Sequence, residues 1–259
     1  MASKLARFAG MPVLSIDYRM VPEHRFPCPT EDALQALRWL LDPANDPAPG
    51  SPGGSAGCTT AASTAAGPPP MVFVCGDSAG GGLAVLAAIE AGKAEDLRGK
   101  VAGLGLFSPY TDLAATLPSY VTRAWNPAAG TATAGSGDPV FSSGDGSKDA
   151  EATRRLTATM LPAGWTPEDP RASPVFSAEL GALPRCRIHV GDAEVMLSEA
   201  TELAERATSA GAAGVTVVVW DRMWHDFVYY GDGCVYQPGE TDAPLLEVRE
   251  RELLQHHVL

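Results

Sequence analysis

The sequence predicts an α/β fold in which helices flank a mainly parallel sheet. Short apolar runs alternate with segments of helical periodicity, and the runs lack the polar alternation of half-exposed strands. The chain between successive runs is long enough for crossover connections, which parallel strands require. The apolar runs cover residues 71–75, 101–107, 186–190 and 215–220, with an earlier run at 11–18.

Helical spacing of apolar side chains predicts the elements between these strands. Thr30 and Ser198 stand where N-cap residues are favoured, directly before two of the helices. A small-residue helix follows the run at 71–75 with almost no gap. The predicted helices cover residues 2–8, 31–41, 79–91, 150–160, 199–209 and 245–257.

The chain is predicted to form a single domain over residues 1–259, since this length suits one large α/β domain. Residues 43–70 are rich in Pro, Ala, Gly, Ser and Thr, which predicts a low-complexity surface insertion. Residues 113–184 interrupt the alternation of strand and helix. We expect them to form a lid-like excursion over one end of the sheet, with a flexible loop near 128–146.

Composition argues against several classes of partner. Nineteen Lys and Arg against 31 Asp and Glu give a net charge of −12, which disfavours nucleic acid and anionic membranes. The five cysteines are widely spaced without a C-x-x-C pair, so we expect no disulfide framework or metal site, and a cytoplasmic location. No apolar run is long enough for a signal peptide or a membrane span.

A serine nucleophile is predicted at Ser78. Residues 76–80 read Gly-Asp-Ser-Ala-Gly, the G-x-S-x-G pattern of a sharp strand-to-helix turn that exposes a serine hydroxyl. A second copy of the pattern, around Ser55, lies in the low-complexity insertion without a flanking strand or helix. We expect a side chain at position 76 or 80 to crowd the neighbouring strand or helix, and the backbone of Ser78 to be strained.

The order of residues along the chain then indicates the base. In sites of this kind the acid and the histidine follow the serine, which excludes His24. His189 lies inside an apolar run and is expected to be a core residue, while the last two histidines lie in the C-terminal tail. His225 remains, a few residues beyond the run at 215–220.

The carboxylate that orients this histidine is expected in the loop after residues 186–190. Asp192 and Glu194 both lie there, and their spacing does not choose between them. Glu199 and Glu202 lie on the following helix and are expected to be solvated charges. Asp226 is too close in sequence to the histidine for this role.

Three longer motifs occur in order along the chain. They are Asp-Tyr-Arg-Met-Val-Pro-Glu-His-Arg-Phe-Pro at 17–27, Gly-Asp-Ser-Ala-Gly-Gly at 76–81 and Ser-Pro-Tyr-Thr-Asp-Leu at 108–113. Together they resemble the hormone-sensitive-lipase family of α/β-hydrolases, and residues 169–174 and 189–200 extend the likeness. The resemblance implies the α/β-hydrolase fold and hydrolysis of carboxylic esters without a cofactor.

The resemblance also implies roles for individual residues. Ser78 would be the nucleophile and His225 the base. Glu194 would be the acid, because it stands three residues after Gly191, where the family usually has its aspartate. Asp192 is the alternative candidate for the acid.

Three residues beside the nucleophile are expected to serve the substrate. The backbone N–H of Ala79 would be the first donor of the oxyanion hole. Asp77 and Gly80 flank the same turn and are candidate substrate-binding residues.

The chain departs from this family upstream of the first motif. The resemblance implies a His-Gly-Gly-Gly loop there that supplies further oxyanion donors, but only 16 residues precede Asp17 and none of them forms a glycine run. We therefore expect an N-terminally truncated fold and weakened activity, because removal of one such donor costs about 2.7 to 4 kcal/mol. A strand next to residues 71–75 would also be missing, so residues 11–18 would either pair with them or form an exposed edge strand.

The function expected from these residues is that of a serine carboxylesterase acting on a small-molecule ester through an acyl-serine intermediate. Two alternatives remain open, a catalytically inactive fragment and a small-molecule-binding homologue. Binding homologues in this family tend to lose the histidine, whereas His225 is present here.

Overall fold

The structure, a computed structural model, describes residues 2–45, 70–123, 138 and 146–229. Within these residues four strands form one parallel sheet, which confirms the predicted α/β class. Each strand lies within two residues of its predicted position. In their order in the sheet, the strands are β1 (Val72–Asp77), β2 (Val101–Phe107), β3 (Arg185–Gly191) and β4 (Val215–Trp220).

The described helices lie close to the expected segments, except for the short helix at Ser119–Thr122, which no predicted segment covers. Both predicted N-caps are wrong. Thr30 is buried inside the first turn of its helix, because Pro27 and Pro29 start the helix earlier. Ser198 is the second residue of its helix, and its hydroxyl accepts a hydrogen bond from the Ser119 N–H at 3.1 Å. The helices are α1 (Ala2–Ala9), α2 (Cys28–Leu41), α3 (Ser78–Lys93), α4 (Ser119–Thr122), α5 (Gly146–Ala158) and α6 (Leu197–Ser209).

Residues 11–18 do not pair with β1, so the expected direct pairing is wrong, and the segment forms no strand. Among the described strands β1 pairs with β2 alone, and an extended segment without ladder hydrogen bonds is not a strand. Val13, Leu14 and Ile16 are exposed. Only Tyr18, at the end of the segment, packs against a buried cluster between α2 and α3.

One apolar cluster joins the sheet to α3 and α6. Val85 of α3, Ile188 of β3 and Leu203 of α6 are completely buried in it. Burial of each such side chain contributes about 1.5 to 3 kcal/mol. This packing fixes the start of α3 and the start of α6 relative to the sheet.

The parallel arrangement brings four connections to one edge of the sheet. α3 begins directly after β1, and the loops that follow β2, β3 and β4 start at the same edge. In open parallel sheets, ligands bind beyond the carboxyl ends of the strands. The candidate residues at 78, 194 and 225 all lie in these connections.

Several predicted segments are covered only in part. The insertion at 43–70 lies mostly, and the helix at 245–257 entirely, outside the described residues; of the loop at 128–146 only Asp138 and Gly146 are described. Of the helices in the described ranges, none combines the length and apolar character needed to cross a membrane.

Candidate active site

Ser78 lies in the tight turn between β1 and α3. Its φ of 50° falls in the left-handed region, which costs a residue with a side chain about 1 to 2 kcal/mol. A Cβ atom at Gly76 would lie 2.2 Å from the carbonyl oxygen of Gly80. The turn that presents Ser78 therefore requires glycine at position 76.

The expected crowding at Gly80 is wrong. A Cβ atom there would meet no atom within 4 Å, because Gly80 lies on the open side of the first turn of α3. The close approach occurs one and two residues later. A Cβ at Gly81 would lie 2.8 Å from the Cβ of Pro109, and one at Gly82 would lie 2.0 Å from the carbonyl oxygen of Tyr110.

Ser78, His225 and Glu194 form a continuous chain of hydrogen bonds at the carboxyl edge of the sheet. The Nε2 atom of His225 lies 2.9 Å from the Oγ of Ser78. The Nδ1 atom of the same ring lies 3.1 Å from Oε2 of Glu194. The side chains of His225 and Glu194 are 3% and 0% exposed, whereas Ser78 is half-buried. The fold thus brings together residues that are up to 147 positions apart.

Asp192 has a different partner. Its Oδ1 atom accepts a hydrogen bond from the Arg222 N–H at 2.6 Å, which ties the loop after β3 to the loop after β4. Of the two carboxylates that the sequence left open, the structure thus puts Glu194 against the ring of His225.

Ser108, the first residue after β2, links the loops that follow β3 and β4. Its side chain is buried, and its hydroxyl donates to Oε1 of Glu194 at 2.9 Å. The same hydroxyl accepts a hydrogen bond from the Asp226 N–H at 3.2 Å. The N–H of Gly191 also donates to Oε1 of Glu194. Sequence reasoning missed Ser108, although its place at the end of a predicted strand was a usable signal.

Asp226 provides a second carboxylate against the imidazole. Its Oδ2 atom lies 3.3 Å from Nε2 of His225, the nitrogen that also faces Ser78. The left-handed φ of 55° at Asp226 turns the chain sharply at this point. Asp226 therefore contacts the opposite side of the ring from Glu194.

Asp138 is a third carboxylate, close to Glu194 and His225, and no sequence motif indicated it. It is buried, and with Glu194 and His225 it offers atoms capable of metal coordination that lie within 4.8 Å of one another. Its Oδ2 atom accepts a hydrogen bond from the Val195 N–H at 3.2 Å. Hydrogen bonds thus account for all three side chains, and we assign no metal to them.

The charges around His225 favour its protonated form. Burial lowers the pKa of His225, but the carboxylates of Asp226 and Glu194 together outweigh burial and raise that pKa from 6.5 to about 10. Burial raises the pKa of Glu194, while its hydrogen bonds with His225, Gly191 and Ser108 act in the opposite direction. The imidazole is therefore a stronger base than a free histidine.

The three residues expected beside the substrate lie at the same turn. Asp77 ends β1, and its Oδ1 atom accepts a hydrogen bond from the Tyr229 hydroxyl at 2.7 Å. Ala79 and Gly80 lie in the first turn of α3, where backbone N–H groups have no partner within the helix. Ala79 is exposed.

The expectation that Glu199 is a solvated helix charge is wrong. Its carboxylate is completely buried and accepts hydrogen bonds from the backbone N–H groups of Thr111 and Asp112 and from the Tyr120 hydroxyl. Glu202 behaves as expected, since it forms a partly exposed ion pair with Arg206 at 2.6 Å.

Of the remaining candidates in the described ranges, His189 has partners away from Ser78. His189 is buried, as expected; its Nδ1 atom accepts a hydrogen bond from Trp220 Nε1 at 3.0 Å, and its ring stacks on Phe107. Ser55 and the last two histidines lie outside the described residues.

Comparison with known proteins gives consistent matches. The model of a family described as having the alpha/beta hydrolase fold matches residues 1–229. An acetyl-hydrolase of Streptomyces hygroscopicus is 33% identical over 89% of this chain and 62% of its own length. An ethyl acetate hydrolase of Pseudomonas putida is 31% identical over 44% of this chain and 30% of its own length.

A solved structure extends the comparison to three dimensions. A hormone-sensitive lipase from a metagenome library has a TM-score of 0.66 and 28% identity, with 98% of this chain and 68% of that chain covered. The present chain thus spans about three fifths of the acetyl-hydrolase and two thirds of this lipase.

Proposed function

We propose that this chain, which belongs to the family with the α/β-hydrolase fold, is a serine carboxylesterase. The family match and the structural likeness confirm the resemblance expected from the three sequence motifs. The observation that carries the proposal is the contact of 2.9 Å between Ser78 Oγ and His225 Nε2, continued at 3.1 Å to Glu194. A nucleophile, a base and an orienting acid within hydrogen-bond reach are what acyl transfer requires.

In the proposed acylation step, Ser78 Oγ attacks the carbonyl carbon of the ester while its proton passes to Nε2 of His225. Glu194 accepts the hydrogen bond from Nδ1, which fixes the tautomer and stabilises the imidazolium. Collapse of the tetrahedral intermediate breaks the bond to the alcohol oxygen, which takes the proton from Nε2. The products are the free alcohol and an acyl ester on Ser78.

Deacylation repeats these steps with water. His225 removes a proton from the water molecule as its oxygen attacks the acyl carbon, and the same proton returns to Ser78 Oγ when the acid leaves. We assign the backbone N–H of Ala79 to the oxyanion, since it follows the nucleophile at the start of α3. Asp77 and Gly80 border the same space and are proposed to contact the substrate.

The proposed substrates are small esters of short acyl groups. The names of the two relatives, an acetyl-hydrolase and an ethyl acetate hydrolase, support this choice. The net charge of −12 further favours a neutral small molecule over nucleic acid or an anionic membrane. We propose a cytoplasmic location, supported by the free thiols of Cys28, Cys75 and Cys186, which cell fractionation would test.

Hydrolysis of p-nitrophenyl acetate and butyrate tests the proposal. We expect the purified chain to release nitrophenolate above the buffer rate, and Ser78→Ala to remove at least about 99% of that activity, because the alanine has no oxygen for attack. Ser55→Ala is the matched control, since it changes the serine of the other G-x-S-x-G sequence. Equal activity in Ser78→Ala and the parent chain would contradict the proposed nucleophile, and a rate no higher than buffer would contradict the proposed function.

A further inference from the structure

The nitrogen of His225 that faces Ser78 is shared with a second group. Nε2 lies 2.9 Å from Ser78 Oγ and 3.3 Å from Oδ2 of Asp226. The ring can carry only one proton on this nitrogen, so the hydroxyl and the carboxylate compete for the same hydrogen bond. The arrangement differs from that at Nδ1, where Glu194 faces the ring.

The backbone holds Asp226 in this place. Its φ of 55° is a left-handed conformation, and its N–H donates to Ser108 Oγ at 3.2 Å. The side chain is 18% exposed. Within the described part of the chain its Oδ1 atom is buried without a hydrogen-bond partner. The Asp226 carboxylate is thus poorly solvated and adjoins an imidazole that can become positively charged.

We propose that Asp226 is a positioning residue that pairs with the protonated Nε2 of His225 and thereby sets the pH range in which this histidine can accept the proton of Ser78. The inference rests on the proposed function for its catalytic meaning, but the pairing itself does not. At low pH the imidazolium donates to Asp226 and cannot act as a base. At higher pH the neutral ring accepts from Ser78.

The other polar groups around the imidazole do not replace Asp226 in this role. Glu194 lies against Nδ1 and is held by Ser108. Asp138 lies in the same buried cluster and accepts a hydrogen bond from a backbone N–H. Ser78 is neutral. All three remain when Asp226 is changed, so a difference between variants reports on Asp226.

The attraction between the Asp226 carboxylate and the protonated ring of His225 has two opposing consequences for the reaction. A carboxylate at this distance stabilises the imidazolium by Coulomb attraction, so deprotonation of the free protein requires a higher pH. The same attraction stabilises the imidazolium formed while Ser78 attacks the ester. Removal of the charge should therefore move the acid limb of activity to lower pH and reduce the rate on the alkaline plateau.

Titration of the His225 ring by NMR tests the pairing without any substrate. The ring signal is assigned by its loss in His225→Gln. We expect Asp226→Asn to shift the titration midpoint of His225 downward by at least about 1 pH unit. An opposite charge within about 4 to 6 Å stabilises the charged form of a group and shifts its midpoint by about 1 to 3 pH units. Asp226→Gly should give the same shift, since asparagine and glycine both tolerate a positive φ.

Asp221→Asn is the matched control, since it removes an exposed charge from the same loop, where Asp221 pairs with Arg222. In Asp221→Asn the titration midpoint of His225 should stay within about 0.3 pH unit of the parent value. An unchanged midpoint in either Asp226 variant, or an equal shift in Asp221→Asn, would overturn the inference. The titration decides this even if the chain hydrolyses no ester, so failure of the proposed function is a separate result.

If the chain is active, the pH profile of kcat/KM provides a second readout. Well below both midpoints, the rate of Asp226→Asn relative to its own plateau should be at least about tenfold higher than that of the parent, since the neutral fraction of the ring rises tenfold per pH unit. A purely structural role would lower the rate equally at every pH. Such a uniform loss would contradict the inference.

Discussion

The conformation of Ser78 depends on the residues that surround it. Its left-handed φ of 50° costs about 1 to 2 kcal/mol, and the neighbouring structure must supply that energy. The Ser78 carbonyl accepts a hydrogen bond from the Tyr110 N–H at 2.8 Å. Gly76 lets the start of α3 approach the end of β1. The orientation of the hydroxyl is thus fixed by packing around the turn.

The two glycines that flank this turn provide a test at the residue scale. We expect Gly76→Ala to lower the free energy of unfolding by about 1 to 3 kcal/mol, because its Cβ would lie 2.2 Å from the Gly80 carbonyl oxygen. Gly80→Ala should be neutral or stabilising by up to about 1 kcal/mol, since the site is open and alanine favours a helix. Urea denaturation measures both. An equal loss in the two variants would show that the described turn is incorrect.

The residues of the candidate site were accessible to sequence reasoning to different degrees. The G-x-S-x-G pattern and chain order indicated Ser78 and His225, because both signals are local or sequential. The sequence alone did not separate Glu194 from Asp192, since their difference lies in which backbone N–H each one meets. The contact between Asp226 and the neighbouring histidine could not be predicted, because a left-handed backbone turn cannot be derived from residue spacing.

At the scale of elements, α6 is tied to the segment after β2 by a buried polar network. Glu199 on α6 accepts hydrogen bonds from Asp112 N–H at 2.8 Å and from the Tyr120 hydroxyl at 2.6 Å. Ser119 and Ser198 add further contacts between the same elements. The Ser119 hydroxyl also donates to the Val195 carbonyl, which links the network to the loop that carries Glu194. Sequence periodicity could not find it, because a glutamate on a helix is usually solvated.

The burial of Glu199 makes a prediction for stability as a function of pH. Burial raises its pKa from 4.5 to about 8, despite its hydrogen bonds to Tyr120, Thr111 and Asp112. At pH values between 4.5 and about 8, the folded chain therefore holds a proton on Glu199 that the unfolded chain has lost. The contribution of Glu199 to the free energy of unfolding is fully present below about pH 4.5 and declines as the pH rises towards 8.

Urea denaturation at pH 5, 6.5 and 8 should reveal this effect. The unfolding free energy of the parent chain, relative to Glu199→Gln, should fall by up to about 1.4 kcal/mol per pH unit across this range. Glu202→Gln is the matched control on the same helix, because Glu202 is partly exposed and paired with Arg206. If the unfolding free energy of the parent chain relative to Glu199→Gln stayed constant or rose with pH, the assigned burial of Glu199 would be contradicted.

At the scale of the whole molecule, the parallel sheet is the feature that assembles the site. Ser78, Ser108, Glu194 and His225 each follow a different strand, and all four strands end at the same edge. The strand positions were predictable because apolar runs and crossover lengths are sequence properties. The state of residues 11–18 was not, because a strand exists only with a hydrogen-bonding partner, and pairing is a property of the assembled sheet.

The central claim is that this edge activates Ser78 through His225 and Glu194. Reaction with diisopropyl fluorophosphate, followed by peptide mass spectrometry, tests it most directly, because the reagent phosphorylates activated serines. We predict one label per chain, on Ser78, with labelling at least about 100-fold slower in Glu194→Gln and changed by less than about threefold in Asp192→Asn. Labelling at another serine, absence of a label on Ser78, or a larger loss in Asp192→Asn than in Glu194→Gln would contradict the account.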